Sequence, residues 1–246
     1  MASEDNEKQS PFTRPGFIAA AGVVALIVVC AIILVIVNLS RGNPEPGPTS
    51  TSEPSSTTAP STPAASGDES VCGLGGVELS GSVTTAPAAT WKYEGTTGYP
   101  TSPTYGPGKT DPAGFRYCFQ HSPTGALFMA ANAVALGSDE SVKTAWGAYV
   151  LGNGKFRDQL LAQKPSNNTA AGTRIQISGF RVLSYDGKSA SVDLALTYSS
   201  ATGTLTVSGV YSLVWQDGDW KLSADTMTPL DVAPIPNVAG YTPWGE

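Results

Sequence analysis

From Phe17 to Val37 the chain runs 21 residues without a charge or a strongly hydrogen-bonding side chain. At about 1.5 Å per residue, a helix of that length spans roughly 30 Å, the thickness of a bilayer's hydrocarbon core. A helix satisfies its own backbone there, and the Val/Ile-rich run is apolar on every side, as lipid requires. A cleaved signal peptide would show a shorter apolar stretch followed by a small-residue cleavage site. Here the run passes into Asn38-Leu39-Ser40-Arg41. The pattern predicts an uncleaved single-pass anchor over residues 17–39, behind a polar cytoplasmic tail at 1–16. Lys8 and Arg14 precede the span and Arg41 follows it, so the balance of basic residues puts the N-terminus in the cytoplasm. The expected location is the cell membrane, with the C-terminal domain extracytoplasmic.

Residues 44 to 63 hold six Pro, five Ser and five Thr, with no aromatic or large aliphatic side chain. Such a stretch buries too little apolar surface to offset chain entropy. A disordered Pro/Ser/Thr linker is expected over 40–70. At about 3.1 Å per residue it reaches up to roughly 90 Å, a stalk that holds a folded domain away from the bilayer.

Residues 71–121 lack a clear period and are rich in Gly, Pro, Thr and Tyr. Trp91-Lys92-Tyr93 suits a short strand, and Tyr99 to Ala113, with four prolines, an ordered loop. Cys72 and Cys118 are an even pair suited to one disulfide in an oxidising compartment, the alternative being two reduced, buried thiols. A bond between them stabilises by about 4 kcal/mol in the chain-entropy account.

Over 122–246 the period is first helical and then two. Ser122-Pro123-Thr124 opens an Ala/Leu/Phe/Met helix that Gly137 ends. Val142, Ala145, Trp146, Tyr149 and Val150 mark a second helix, and Phe156, Leu160 and Leu161 one side of a short third. Beyond Ala171, Arg174–Ser184, Ala190–Tyr198, Thr204–Gln216 and Asp219–Ala224 alternate as strands. Asp186-Gly187 and Asp217-Gly218 supply tight turns, and Gly179 a bulge. The expected fold class is α+β, with helices packed on one face of a curved antiparallel sheet.

The ending Tyr211-Ser212-Leu213-Val214-Trp215-Gln216-Asp217-Gly218-Asp219-Trp220-Lys221-Leu222, after helices and long strands, resembles the nuclear-transport-factor-2-like cone. The likeness covers about residues 122–226 and says little of function, because that fold hosts enzymes and binding modules alike. Tail, span, stalk and cone together look like the bitopic assembly subunits of type IV secretion and conjugation systems. Cys-Gly-Leu-Gly-Gly-Val-Glu-Leu from Cys72 and Phe-Arg-Tyr-Cys-Phe-Gln-His-Ser-Pro from Phe115 look like an uncharacterised actinobacterial membrane-anchored family. The resemblance implies a Gram-positive envelope.

Composition narrows the chemistry. Charged residues are 14% of the chain and the net charge is −6, yet the part from Val71 onward holds 11 basic against 13 acidic residues. The acidity therefore lies mostly in the tails and stalk, and no basic patch marks a nucleic-acid binder. His121 is the single histidine, so acid–base triads and zinc sites lack parts. It reads as a general base or thiol activator, or else as a surface or helix-start residue beside a disulfide. Asp217 and Asp219 read as a solvated turn pair, Asp193 as a polar strand position, and Trp146, Trp215 and Trp220 as core. No catalytic, cofactor-binding or metal residue is singled out, and no cofactor is expected. The expectation is a non-enzymatic, membrane-tethered interaction protein whose partners are other envelope proteins or a second copy of itself. The alternative is a small-ligand-binding or enzymatic cone at the cell surface.

Overall fold

The computed structural model describes residues 68–163 and 173–246. The span expected over 17–39, nearly all of the stalk and the Asn167-Asn168-Thr169 acceptor motif lie outside them. Among the described residues no helix is long and apolar enough to cross a membrane.

In chain order, β1 (Thr90–Glu94) and β2 (Thr97–Thr101) form a hairpin, and β3 (Lys109–Thr110) and β4 (Arg116–Tyr117) a short ribbon. Three helices follow, α1 (Pro123–Ser138), α2 (Lys143–Val150) and α3 (Arg157–Ala162). Then come the strands β5 (Arg174–Tyr185), β6 (Ser189–Ser200), β7 (Gly203–Gln216), β8 (Asp219–Leu222), β9 (Leu230–Pro234) and β10 (Thr242–Pro243).

Helix α1 starts where the sequence marks it. The Ser122 hydroxyl accepts from the Gly125 amide at 3.0 Å, and Pro123 occupies the first turn, where its missing N–H costs nothing. Every residue from Gly125 to Leu136 is buried, so α1 is wrapped on all sides, as an Ala/Leu-rich helix without a polar face must be. The sheet covers it from one direction and the β1–β2 hairpin from another.

The fold is α+β, a curled mixed sheet of eight strands with a few helices. Strands β5 to β8 form the expected antiparallel meander. Its turns are at Asp186-Gly187, at Ala201-Thr202 and at Asp217-Gly218, where both residues of the last have positive φ (+55° and +73°). The ladder slips between Ile177 and Gly179, the expected bulge, and again between Val182 and Ser184. Three features differ from the sequence expectation. The sheet is not purely antiparallel, because β2 lies parallel to β5, with Thr97 opposite Ile175. The C-terminal segment adds two strands, β9 on β7 and β10 on β5. Helix α3 buries none of its residues, and Leu161 is exposed.

Candidate functional site

The acidic residues and the histidine are consumed by structure. Asp219 stands in a turn by sequence, yet it is buried, a correction to the solvated pair expected there. Its carboxylate accepts from the amides of Cys118 (2.8 Å), Phe119 (2.8 Å) and Trp220 (2.9 Å) and from the Tyr149 hydroxyl (2.7 Å). Cys118 has φ +69°, a left-handed conformation unusual for a residue with a Cβ, and this hydrogen bond helps hold it. Desolvation pushes the Asp219 carboxyl above its ordinary range, while these donors and the Lys221 ammonium pull the other way. The Lys221 Nζ sits 3.0 Å from the centre of the Tyr149 ring, and burial lowers its pKa to about 8. The Tyr149 phenol is held well above its usual value, first by burial and then by the charge of Asp219. Asp217 stays exposed, as expected.

Asp193 is equally enclosed. It accepts from the Ser208 hydroxyl (2.6 Å), the Tyr241 hydroxyl (2.8 Å) and the Arg181 guanidinium. His121 is neither at the surface nor open as a base. It is 2% exposed, and its ring stacks on Trp215 at 3.9 Å. Nδ1 faces the carbonyl of Asp68 and Nε2 that of Gly187, so both nitrogens are engaged. Cys72 and Cys118 are disulfide-bonded, with Cα atoms 6.1 Å apart. Trp146 and Trp220 are core residues, while Trp215 is only partly buried. Among the described residues, no cluster of three or more His, Cys, Asp or Glu could hold a metal ion.

What remains unengaged faces a groove of about 480 Å³ between the C-terminal half of α1 and the sheet. Register explains its lining. Val192, Leu194, Leu196 and Tyr198 of β6 share a face by the period of two, and stand opposite Tyr211, Gly209, Val207 and Leu205 of β7. Strand β9 extends that face, pairing Leu230 with Tyr211 and Val232 with Gly209. Ala133 and Val134 of α1 form the opposite wall, and Ser138 and Glu140 stand at the end of that helix.

Two features give the groove chemistry. Tyr211 is 3% exposed, and its hydroxyl has no hydrogen-bond partner among the described residues. It is not one of the polar atoms sealed from solvent, so this oxygen faces the opening. Tyr198 also lines the groove and lies near enough to perturb the Tyr211 phenol, which burial holds protonated well above its ordinary value. The second feature is an apolar lip. Leu230 and Val232 are 39% and 50% exposed on a strand whose outer edge is unpaired. An enclosed pair of neutral phenols with an exposed aliphatic rim suits an apolar group bearing one hydrogen-bonding head. Sequence reasoning missed this groove. The visible signals were the alternation ending at Tyr198 and Gly209 in the interior of an otherwise side-chain-rich strand.

A family model described as "Domain of unknown function (DUF8175)" matches residues 50–243. No curated protein and no solved structure matches the chain. Because that match takes in well over half of the sequence, the chain belongs to the DUF8175 family.

Proposed function

We propose that this chain is a non-enzymatic, membrane-tethered binding module that works outside the cytoplasmic membrane. It captures a small amphipathic group in the groove beneath α1. The Tyr211 hydroxyl carries this reading, as a buried donor without a protein partner that opens onto an apolar groove. The engagement of Asp193, Asp219 and His121 by internal partners supports binding over catalysis, since a general base needs a lone pair directed at its reactant. The apolar run at 17–39 and the Pro/Ser/Thr-rich stretch at 40–70 support a location in the envelope. A cone of the nuclear-transport-factor-2-like type suits the helices lying across a curled sheet that ends in the Trp215–Trp220 hairpin. An assembly role in a conjugation or secretion apparatus of a Gram-positive cell fits the bitopic arrangement, with the captured group belonging to another envelope component.

Fluorotyrosine labelling of the full chain in lipid nanodiscs tests the groove. The Tyr198 and Tyr211 fluorine resonances, assigned by Tyr→Phe variants, are followed while p-cresol or short aliphatic alcohols are added. Saturable shifts are expected at both. Gly209→Leu is expected to abolish them, because a Cβ at Gly209 points at Leu196, Leu230 and Tyr211. Shifts that persist in Gly209→Leu, or no shift with any probe, refute the proposal.

A further inference from the structure

A second hollow, of about 290 Å³, lies where the β1–β2 hairpin meets the β3–β4 ribbon. Pairing of Thr90 with Thr101 and Lys92 with Tyr99 puts these four side chains on one face of the hairpin. Pairing of Thr110 with Arg116 carries the ribbon's contribution across it. The Arg116 guanidinium lies over the Tyr99 ring, 3.7 Å from its centre, and the residue is 8% exposed.

The donors of that guanidinium do not balance. Nε donates to Asn132 Oδ1 at 3.1 Å, and Nη1 to Glu94 Oε2 at 2.9 Å. Nη2 carries two further N–H groups that find no acceptor and no exposure to solvent. A charged donor left so is costly, on the order of 1–3 kcal/mol or more. No carboxylate lines the hollow, whereas Lys92 and Arg116 both do. Glu94, the one acid paired with Arg116 among the described residues, is taken up by that ion pair. The Ser102 hydroxyl accepts from the amides of Thr104 and Tyr105, which leaves its own proton free to donate. With the Arg116 charge offset by Glu94, Lys92 supplies the hollow's uncompensated positive charge, on a domain of slightly negative net charge.

We propose that this hollow binds a small oxyanion, a carboxylate or a phosphate monoester group. Lys92 makes the point-charge contact, and the Ser102 and Thr110 hydroxyls supply neutral donors. Arg116, on its aromatic bed and paired with Glu94, forms the buried floor beside them. Where the lining gives, it adds the planar Nη2 donors as well. This site is separate from the groove under α1 and does not depend on it.

Isothermal titration of the full chain in neutral detergent at low ionic strength tests the site. The probes are inorganic phosphate, acetate and the dipeptide Ala-Ala. Saturable binding of at least one is expected, weakening as salt rises. Because Arg116 is part of the packed interior, the decisive variant is at Lys92, which is exposed. Lys92→Glu is expected to weaken binding about tenfold or more, and Lys92→Arg to keep it, with unchanged melting temperatures. Binding of phosphate alone assigns the phosphate source, and binding of acetate and the dipeptide assigns the carboxylate source. Absence of binding by all three, or an affinity indifferent to Lys92→Glu, overturns the proposal.

Discussion

Replacing Asp219 by Asn keeps the shape of the side chain while removing its charge and half of its acceptor capacity. In the native arrangement, Oδ1 accepts from Phe119 and Trp220, and Oδ2 from Cys118 and Tyr149. The amide can serve one of these pairs. Its NH₂ then faces the other, leaving at least one buried backbone N–H unpaired at about 1–3 kcal/mol. The Tyr149 hydroxyl can rotate to accept, but Lys221 loses the nearest charge that offsets its burial. Together these give a loss of about 3–5 kcal/mol, the range seen when one member of a buried charged set is removed. Tyr149→Phe takes away a single hydrogen bond to a charged acceptor, and its loss is smaller, about 1.5–3 kcal/mol. Urea unfolding of the full chain at pH 7, followed by tryptophan fluorescence, ranks the two variants. Hydrogen exchange locates the effect, with whichever of the Cys118 and Phe119 amides meets the new NH₂ in Asp219→Asn expected to lose protection. A midpoint equal to wild type, or full protection of those two amides in Asp219→Asn, refutes the role assigned to this carboxylate.

Lys221 gives a pH signature. Its folded value of about 8 lies below the ordinary 10.5, so the unfolded chain binds more protons between those limits. Stability contributed by this group is lowest below pH 8 and rises toward pH 10.5. The difference in unfolding free energy between wild type and Lys221→Met should therefore rise across that window, by at most about 1.4 kcal/mol per pH unit, and a flat difference defeats the expectation. Loss of the Cys72–Cys118 bond through paired Ser substitutions is expected to cost about 4 kcal/mol by the loop-closure account, read from the same urea curves.

The meander was legible because three physical signals coincide there. Alternation fixes the faces, Asp-Gly pairs fix the turns, and Gly179 permits the bulge. Helix α1 was legible through its Ser122 cap and its end near Gly137. Strand β2 was not, because Thr97-Gly98-Tyr99-Pro100-Thr101 shows no alternation, and its parallel pairing with β5, beyond the hairpin with β1, joins segments more than 70 residues apart. Strands β9 and β10 exist through pairing with long strands already in place, and every residue of β9 is exposed. Asp219 was misread for a related reason. A charge beside a turn is solvated unless another segment supplies donors, and here those come from a loop about 100 positions earlier. The groove needed β9 and α1 to close it, and the oxyanion hollow needed two hairpins brought face to face. Neither leaves a trace in local spacing.

The disulfide has a mechanical meaning. A chain drawn from its N-terminal side reaches Cys72 within a few residues of Asp68. The covalent bond then hands tension straight to Cys118 at the foot of α1. Everything between the two cysteines is a bypass that bears no pull. Strands β1 to β4, and with them Lys92, Ser102, Thr110 and Arg116, all sit inside that bypass. A pull on the chain ahead of Cys72 would thus spare the covalent path through the oxyanion hollow, and reach it only through the helix and the sheet that frame the groove.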